Sequence, residues 1–164
     1  MEITKIYRTE TAHIVREAFS ERCKYNIHGH SYVWEVTIEG DLDKAGMVID
    51  FGNLASIKQF IDLFDHSMVM WKDENNYSEM REFFKTNVRR WIVMNENPTA
   101  ENMANLLYRY ASGYLKDMKL KTKCNIKCVT VHETITGRAT SYNCSSKDGI
   151  NEMSKEINQD FLNL

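Results

Sequence analysis

The chain has 164 residues, 43% of them hydrophobic, which is the size of one ordinary domain with enough apolar material to bury a core. A formal charge of −2 gives no basic surplus for neutralising phosphates, so nucleic acid is not an expected partner. No run approaches about 18 apolar residues, and MEITKIYRTE lacks the charged start and apolar middle of a secretory signal, so the expectation is a cytoplasmic protein with no membrane partner.

In chain order, Met1 to His13 is the expected first strand of an opening hairpin. HSYVWEVTIEG then alternates, with His30, Tyr32, Trp34, Val36 and Ile38 on one face, and ends near Gly40. In VIDFGNLASIKQFIDLFDH, Asp50 can cap a helix and Ile49 and Leu54 take staple positions. Leu54, Ile57, Ile61 and Phe64 make one apolar stripe, and the helix closes at Asp65 and His66. A charged insertion follows, in which Tyr77, Met80, Phe84, Val88 and Trp91 recur at helical spacing, predicting a surface helix that covers other structure. Pro98 precedes Thr99, a good N-cap for a second long helix whose face runs through Met103, Leu106, Leu107 and Tyr110. NIKCVTVHET returns to period two, with Lys127, Val129, Val131 and Glu133 on one side, and GRATSYN after a turn at Thr136–Gly137 makes a second hairpin. Met153, Ile157 and Phe161 predict a weak tail helix.

This order predicts an α+β fold, with two long helices on one face of a four-stranded antiparallel sheet. Two open sheet edges make a homo-oligomer plausible, since pairing edges between subunits removes them. Cys23, Cys124, Cys128 and Cys144 form no CxxC pair and read as thiols.

The chemistry concentrates in ERCKYNIHGHSYVWEV. Residues two apart on a strand point the same way, so His28 and His30 present adjacent imidazoles, with Gly29 allowing a close approach. His13, across the hairpin, is the natural third ligand for a zinc ion that keeps one position open. Cys23 reads either as a fourth ligand closing a structural site or as a thiol activated beside the metal. The pair Asp65–His66 is an acid/base candidate, since a carboxylate can orient an imidazole. Glu133 continues an apolar face and needs a partner. Either a ligand with two parallel N–H donors, such as a pterin or guanine edge, or an arginine of the chain would serve.

Taken in register, TAHIV, CKYNIHGHSY, GMVIDFGNL, FDH, PTAEN and HET resemble the 6-pyruvoyl- and 6-carboxy-tetrahydropterin synthase family, over roughly Ile3 to Tyr142. The resemblance implies the tunnelling fold, commonly a homohexamer of two stacked trimers with active sites between subunits. It implies zinc on His13, His28 and His30, a proton-transferring thiol at Cys23, a relay at Asp65 and His66, and a pterin ring anchored by Glu133 and touched by Thr99. Its substrates are 7,8-dihydroneopterin triphosphate and relatives. Four residues separate Cys23 from His28, one more than the commonest bacterial carboxy-type pattern and one fewer than the animal pyruvoyl type. The tight loop, the charged insertion and CKYNIHGHSY align the chain with the carboxy branch, which releases acetaldehyde and triphosphate on the bacterial route to queuosine. The alternatives are the pyruvoyl branch and a non-catalytic zinc module.

Overall fold

A computed structural model describes residues 1–120 and 123–142, so the expected tail helix and Cys144 lie outside the described residues. In chain order the elements are β1 (Glu2–His13), α1 (Glu21–Tyr25), β2 (His28–Gly40), a 3-10 turn (Phe51–Leu54) leading into α2 (Ala55–Asp62), β3 (Ser67–Trp71), α3 (Tyr77–Asn87), β4 (Trp91–Met94), α4 (Ala100–Asp117), β5 (Cys124–His132) and β6 (Arg138–Tyr142).

The four expected strands form the antiparallel part of the sheet. β1 and β2 pair along their whole length, from Glu2 opposite Glu39 to His13 opposite His28. β5 runs along the other side of β2 and β6 returns against β5. Alternation along β2 is realised fully, since Tyr32, Trp34, Val36 and Ile38 have no solvent exposure. On β5 the expected facing changes midway. A register shift between Thr37 and Ile38 sets Ile38 opposite Ile126 and leaves Lys127 without a partner on β2. Ile126 therefore enters the core, while Lys127 reaches out to the Glu2 carboxylate.

Two short strands extend the sheet beyond β1, giving the mixed order β4-β3-β1-β2-β5-β6. β3 runs parallel to β1, and β4 runs parallel to β3. Buried on both faces, SMVMW and WIVM show no alternation to read. Trp91 opens β4, and Val88 is already extended at the end of α3 (φ −128°), so the expected helix through Trp91 stops earlier.

α2 and α4 pack on one face of the sheet. Leu54, Ile57, Ile61 and Phe64 meet Met103, Leu106 and Leu107 over Trp34, Val36, Val129 and Val131 in one core cluster. The first of these helices is shorter than expected, with eight α-helical residues after the 3-10 turn, and Asp50 caps the turn by accepting from Gly52 N at 2.8 Å. α3 covers a different surface. Its Phe84 packs with Ile14, Met68, Met70 and Trp91 in a second cluster, formed by the residues of β3 and β4 that alternate with those facing α2 and α4. Among the described residues no helix is long and apolar enough to cross a membrane.

Candidate active site

His13, His28 and His30 converge where the first hairpin pairs. His13 and His28 are direct cross-strand partners, and His30 follows on the same face of β2. One ring nitrogen from each lies within 4.8 Å of the others, and this is the one cluster of three or more metal-ligating side chains among the described residues. The hydrogen bonds fix which nitrogens are free. His13 Nδ1 lies 2.7 Å from Pro98 O and His28 Nδ1 lies 3.0 Å from Asn26 O. A carbonyl only accepts, so both Nδ1 atoms carry a proton, and Nε2 is the nitrogen left to face the cluster. Those two Nε2 atoms are 3.1 Å apart, a spacing that a shared proton or a bound cation would satisfy.

Electrostatics agree with a metal. Burial, above all, pushes the His13 imidazolium down to a pKa of about 4, and His30 is lowered for the same first reason. Both rings are therefore neutral at physiological pH, the form that binds zinc. Backbone carbonyls on the two Nδ1 atoms are the outer partners a ligating histidine needs. Cys23 is not in the cluster. Gly29 allows the expected close approach, here of the β1 backbone, since a Cβ there would lie 3.3 Å from Thr11 O in the hairpin that aligns the histidines.

Glu133 directs its carboxylate at the cluster, with Oε1 3.5 Å from His13 Nε2 and 3.9 Å from His30 Nε2. Its hydrogen-bond donor is the Tyr32 hydroxyl at 3.2 Å. Tyr32 is fully buried, and burial followed by the Glu133 charge drives its pKa up, so it remains a phenol donor. Tyr32 is a site residue the sequence does not single out, and the signal for it is its place two residues after His30 on the same face. Deeper still, Trp34 Nε1 donates to Thr9 Oγ1 (2.9 Å), Thr9 bonds Thr11 (3.0 Å), and Thr11 donates to Phe64 O (2.8 Å). That satisfied buried chain ties the end of β1 to the segment after α2.

Asp65 and His66 follow this tie. Their side chains pair at 3.0 Å, Asp65 Oδ1 accepts from Glu10 N at 2.9 Å, and His66 N donates to Glu10 O at 2.7 Å. The Glu10 N–H, more than any other influence, holds the Asp65 carboxyl below its usual pKa. His66 adopts φ 55°, a left-handed conformation costly for a side chain with a Cβ, and stands 74% exposed. It borders an open concavity with Glu10, Gly29, His30, Ser31 and Arg90. Thr99 caps α4 as expected, accepting from Asn102 N at 3.3 Å, and the preceding Pro98 carbonyl is the one that holds His13. The fold thus assembles the three histidines, Tyr32 and Glu133, while His66 borders the same concavity as His30 and Cys23 lies on α1, outside the histidine cluster.

The family model described as 6-pyruvoyl tetrahydropterin synthase matches residues 2–144. The 6-carboxy-5,6,7,8-tetrahydropterin synthase of Helicobacter pylori (strain J99) is 35% identical over 147 residues, 87% of this chain and 72% of the relative. The enzyme of the same description from Aquifex aeolicus is 30% identical over 155 residues, 84% of this chain and 95% of the relative. Among solved structures, an uncharacterized protein from Wolinella succinogenes superposes with a TM-score of 0.75 at 21% identity, covering 88% of this chain and 98% of that one. The 6-pyruvoyl tetrahydropterin synthase of Caenorhabditis elegans gives 0.58 at 24% identity, covering 88% and 96%. These structural likenesses carry the tunnelling fold expected from the sequence.

Proposed function

Because the chain belongs to the 6-pyruvoyl tetrahydropterin synthase family, we propose that it is a zinc-dependent 6-carboxy-5,6,7,8-tetrahydropterin synthase. With one water consumed, it converts 7,8-dihydroneopterin triphosphate to 6-carboxy-tetrahydropterin with release of acetaldehyde and triphosphate, in queuosine biosynthesis. The carrying observation is the His13–His28–His30 cluster with the Glu133 carboxylate 3.5 Å from His13.

Zinc, when bound by the three histidines, supplies a Lewis acid for the side-chain hydroxyl oxygens and lowers the cost of removing the neighbouring protons. Glu133 orients the pterin by accepting from its two parallel N–H donors, with Tyr32 holding one carboxylate oxygen in place. Thr99, at the start of α4, borders the same ring. Cys23 takes or returns a proton on one face of the substrate side chain and His66 on the other, with Asp65 fixing the imidazole through Nδ1. In the proposed homohexamer, the flanking positions of Cys23 and His66 are completed across subunit boundaries.

The test is incubation of the zinc-loaded protein with 7,8-dihydroneopterin triphosphate and identification of the product by mass. The expected product is 6-carboxy-tetrahydropterin. A 6-pyruvoyl product moves the chain to the other branch, and no consumption of substrate overturns the proposal.

A further inference from the structure

α1, which carries Cys23, has little of its own to hold it. It spans five residues, buries none of them, and its N-cap Ser20 makes no side-chain capping bond. A helix that short does not persist by local hydrogen bonding. Two contacts from the preceding segment orient it instead: Val15 N donates to Cys23 O at 3.1 Å, and Arg16 NH1 donates to Lys24 O at 3.0 Å.

Arg16 is in turn fixed by the charged insertion. Its Nε and NH2 both lie 2.8 Å from Glu74 Oε2, and NH2 also donates to Asn76 Oδ1 at 3.1 Å and approaches Met80 Sδ at 3.5 Å. The Glu74 side chain is 2% exposed, so this is a desolvated charge pair whose geometry matters. The peptide of Arg16 is held as well, its N–H donating to Asn97 Oδ1 at 3.1 Å and its carbonyl accepting from Asn97 Nδ2. Asn97 immediately precedes Pro98, whose carbonyl holds His13. One connected network therefore runs from the insertion through Arg16 to the Lys24 carbonyl, next to Cys23 in α1, and is anchored beside a metal-ligand candidate.

We infer that Arg16 and Glu74 are positioning residues for Cys23, and that the insertion serves to set the thiol's place relative to the histidine cluster. This rests on the proposed role of Cys23 in proton transfer. Misplacement of a reacting group by about 1 Å can cost on the order of 100-fold in rate.

The experiment uses the zinc-loaded full chain carrying Glu74→Gln, compared with the parent for kcat, KM, zinc content and the rate of Cys23 alkylation by iodoacetamide, read peptide by peptide with buried Cys124 as the internal comparator. The expected result is a fall in kcat of about 10–100-fold with KM and zinc content unchanged, and several-fold faster alkylation of Cys23 but not of Cys124. The double variant Arg16→Met, Glu74→Leu leaves no unpaired buried charge and is expected to behave alike, covering the case in which the single variant fails to fold. Alkylation of Cys23 at the parent rate overturns the inference, as does parent-level kcat in a variant whose Cys23 has become reactive. Absence of turnover in the parent overturns the proposed function alone, and the alkylation comparison still decides whether the network holds Cys23.

Discussion

His13 carries the sharpest pH dependence at the residue scale. Its ordinary pKa of 6.5 is held down to about 4 in the fold, mainly by burial. Between those values the unfolded chain takes up a proton that the folded chain refuses, so stability rises with pH across this window and is lost on acidification. Urea unfolding of the metal-stripped protein should show stability falling between pH 6.5 and 4 by on the order of 3 kcal/mol. A His13→Gln variant should show a flatter profile. The metal itself is checked by elemental analysis: about one zinc per chain in the parent, and loss of it in a His28→Ala, His30→Ala double variant. Glu133→Gln retains an acceptor for Tyr32 but removes the charge, so substrate binding should weaken by about 1.5–3 kcal/mol with little change in melting temperature. Calorimetric titration with a pterin reads the first quantity and a thermal scan the second. The partner that the sequence predicts Glu133 to need is met on the protein side by the Tyr32 hydroxyl at 3.2 Å, with His13 Nε2 at 3.5 Å.

Among the elements, α4 shows a local signal being realised in full. Pro98 and Thr99 announce its start, and the structure adds that this start touches the site through the Pro98 carbonyl. Thr99→Ala should cost about 0.5–2 kcal/mol of stability through loss of the cap, while zinc content stays intact because His13 is held by a backbone atom. β3 and β4 are the opposite case. Parallel strands covered on both faces carry no alternation, and their length is too short to separate them from helix by pattern, so Trp91 read as the last turn of α3. The shift at Ile38 was equally hidden, because a bulge is set by how two distant strands meet and leaves no mark on either one alone.

At the scale of the whole molecule, the proposed assembly makes a prediction that a lone subunit does not. Cys23→Ala and His66→Ala chains should each lose about 10²–10⁴-fold in rate with zinc retained, as general acid–base residues do. If each site takes Cys23 from one subunit and His66 from another, mixing the two inactive variants through dissociation and reassembly should restore up to about a quarter of parent activity, since random closed assembly joins the intact residues at that frequency. Activity that stays at background after mixing would assign both residues to one chain.

What the sequence by itself determined was whatever rests on local spacing. Period two along HGHSYVWEV places His28, His30 and Tyr32 on one face, helical spacing marks α2 and α4, and a proline and threonine mark a helix start. Tertiary structure alone decided the relations between segments far apart in the chain. The pairing of His13 with His28 brings their two Nε2 atoms to 3.1 Å, and the Glu10 backbone anchors Asp65 55 residues away. Arg16 reaches Glu74 across 58 residues, a pairing that no local pattern encodes. Such contacts depend on where folding brings two surfaces together, and a single chain read in order carries their components without their distance.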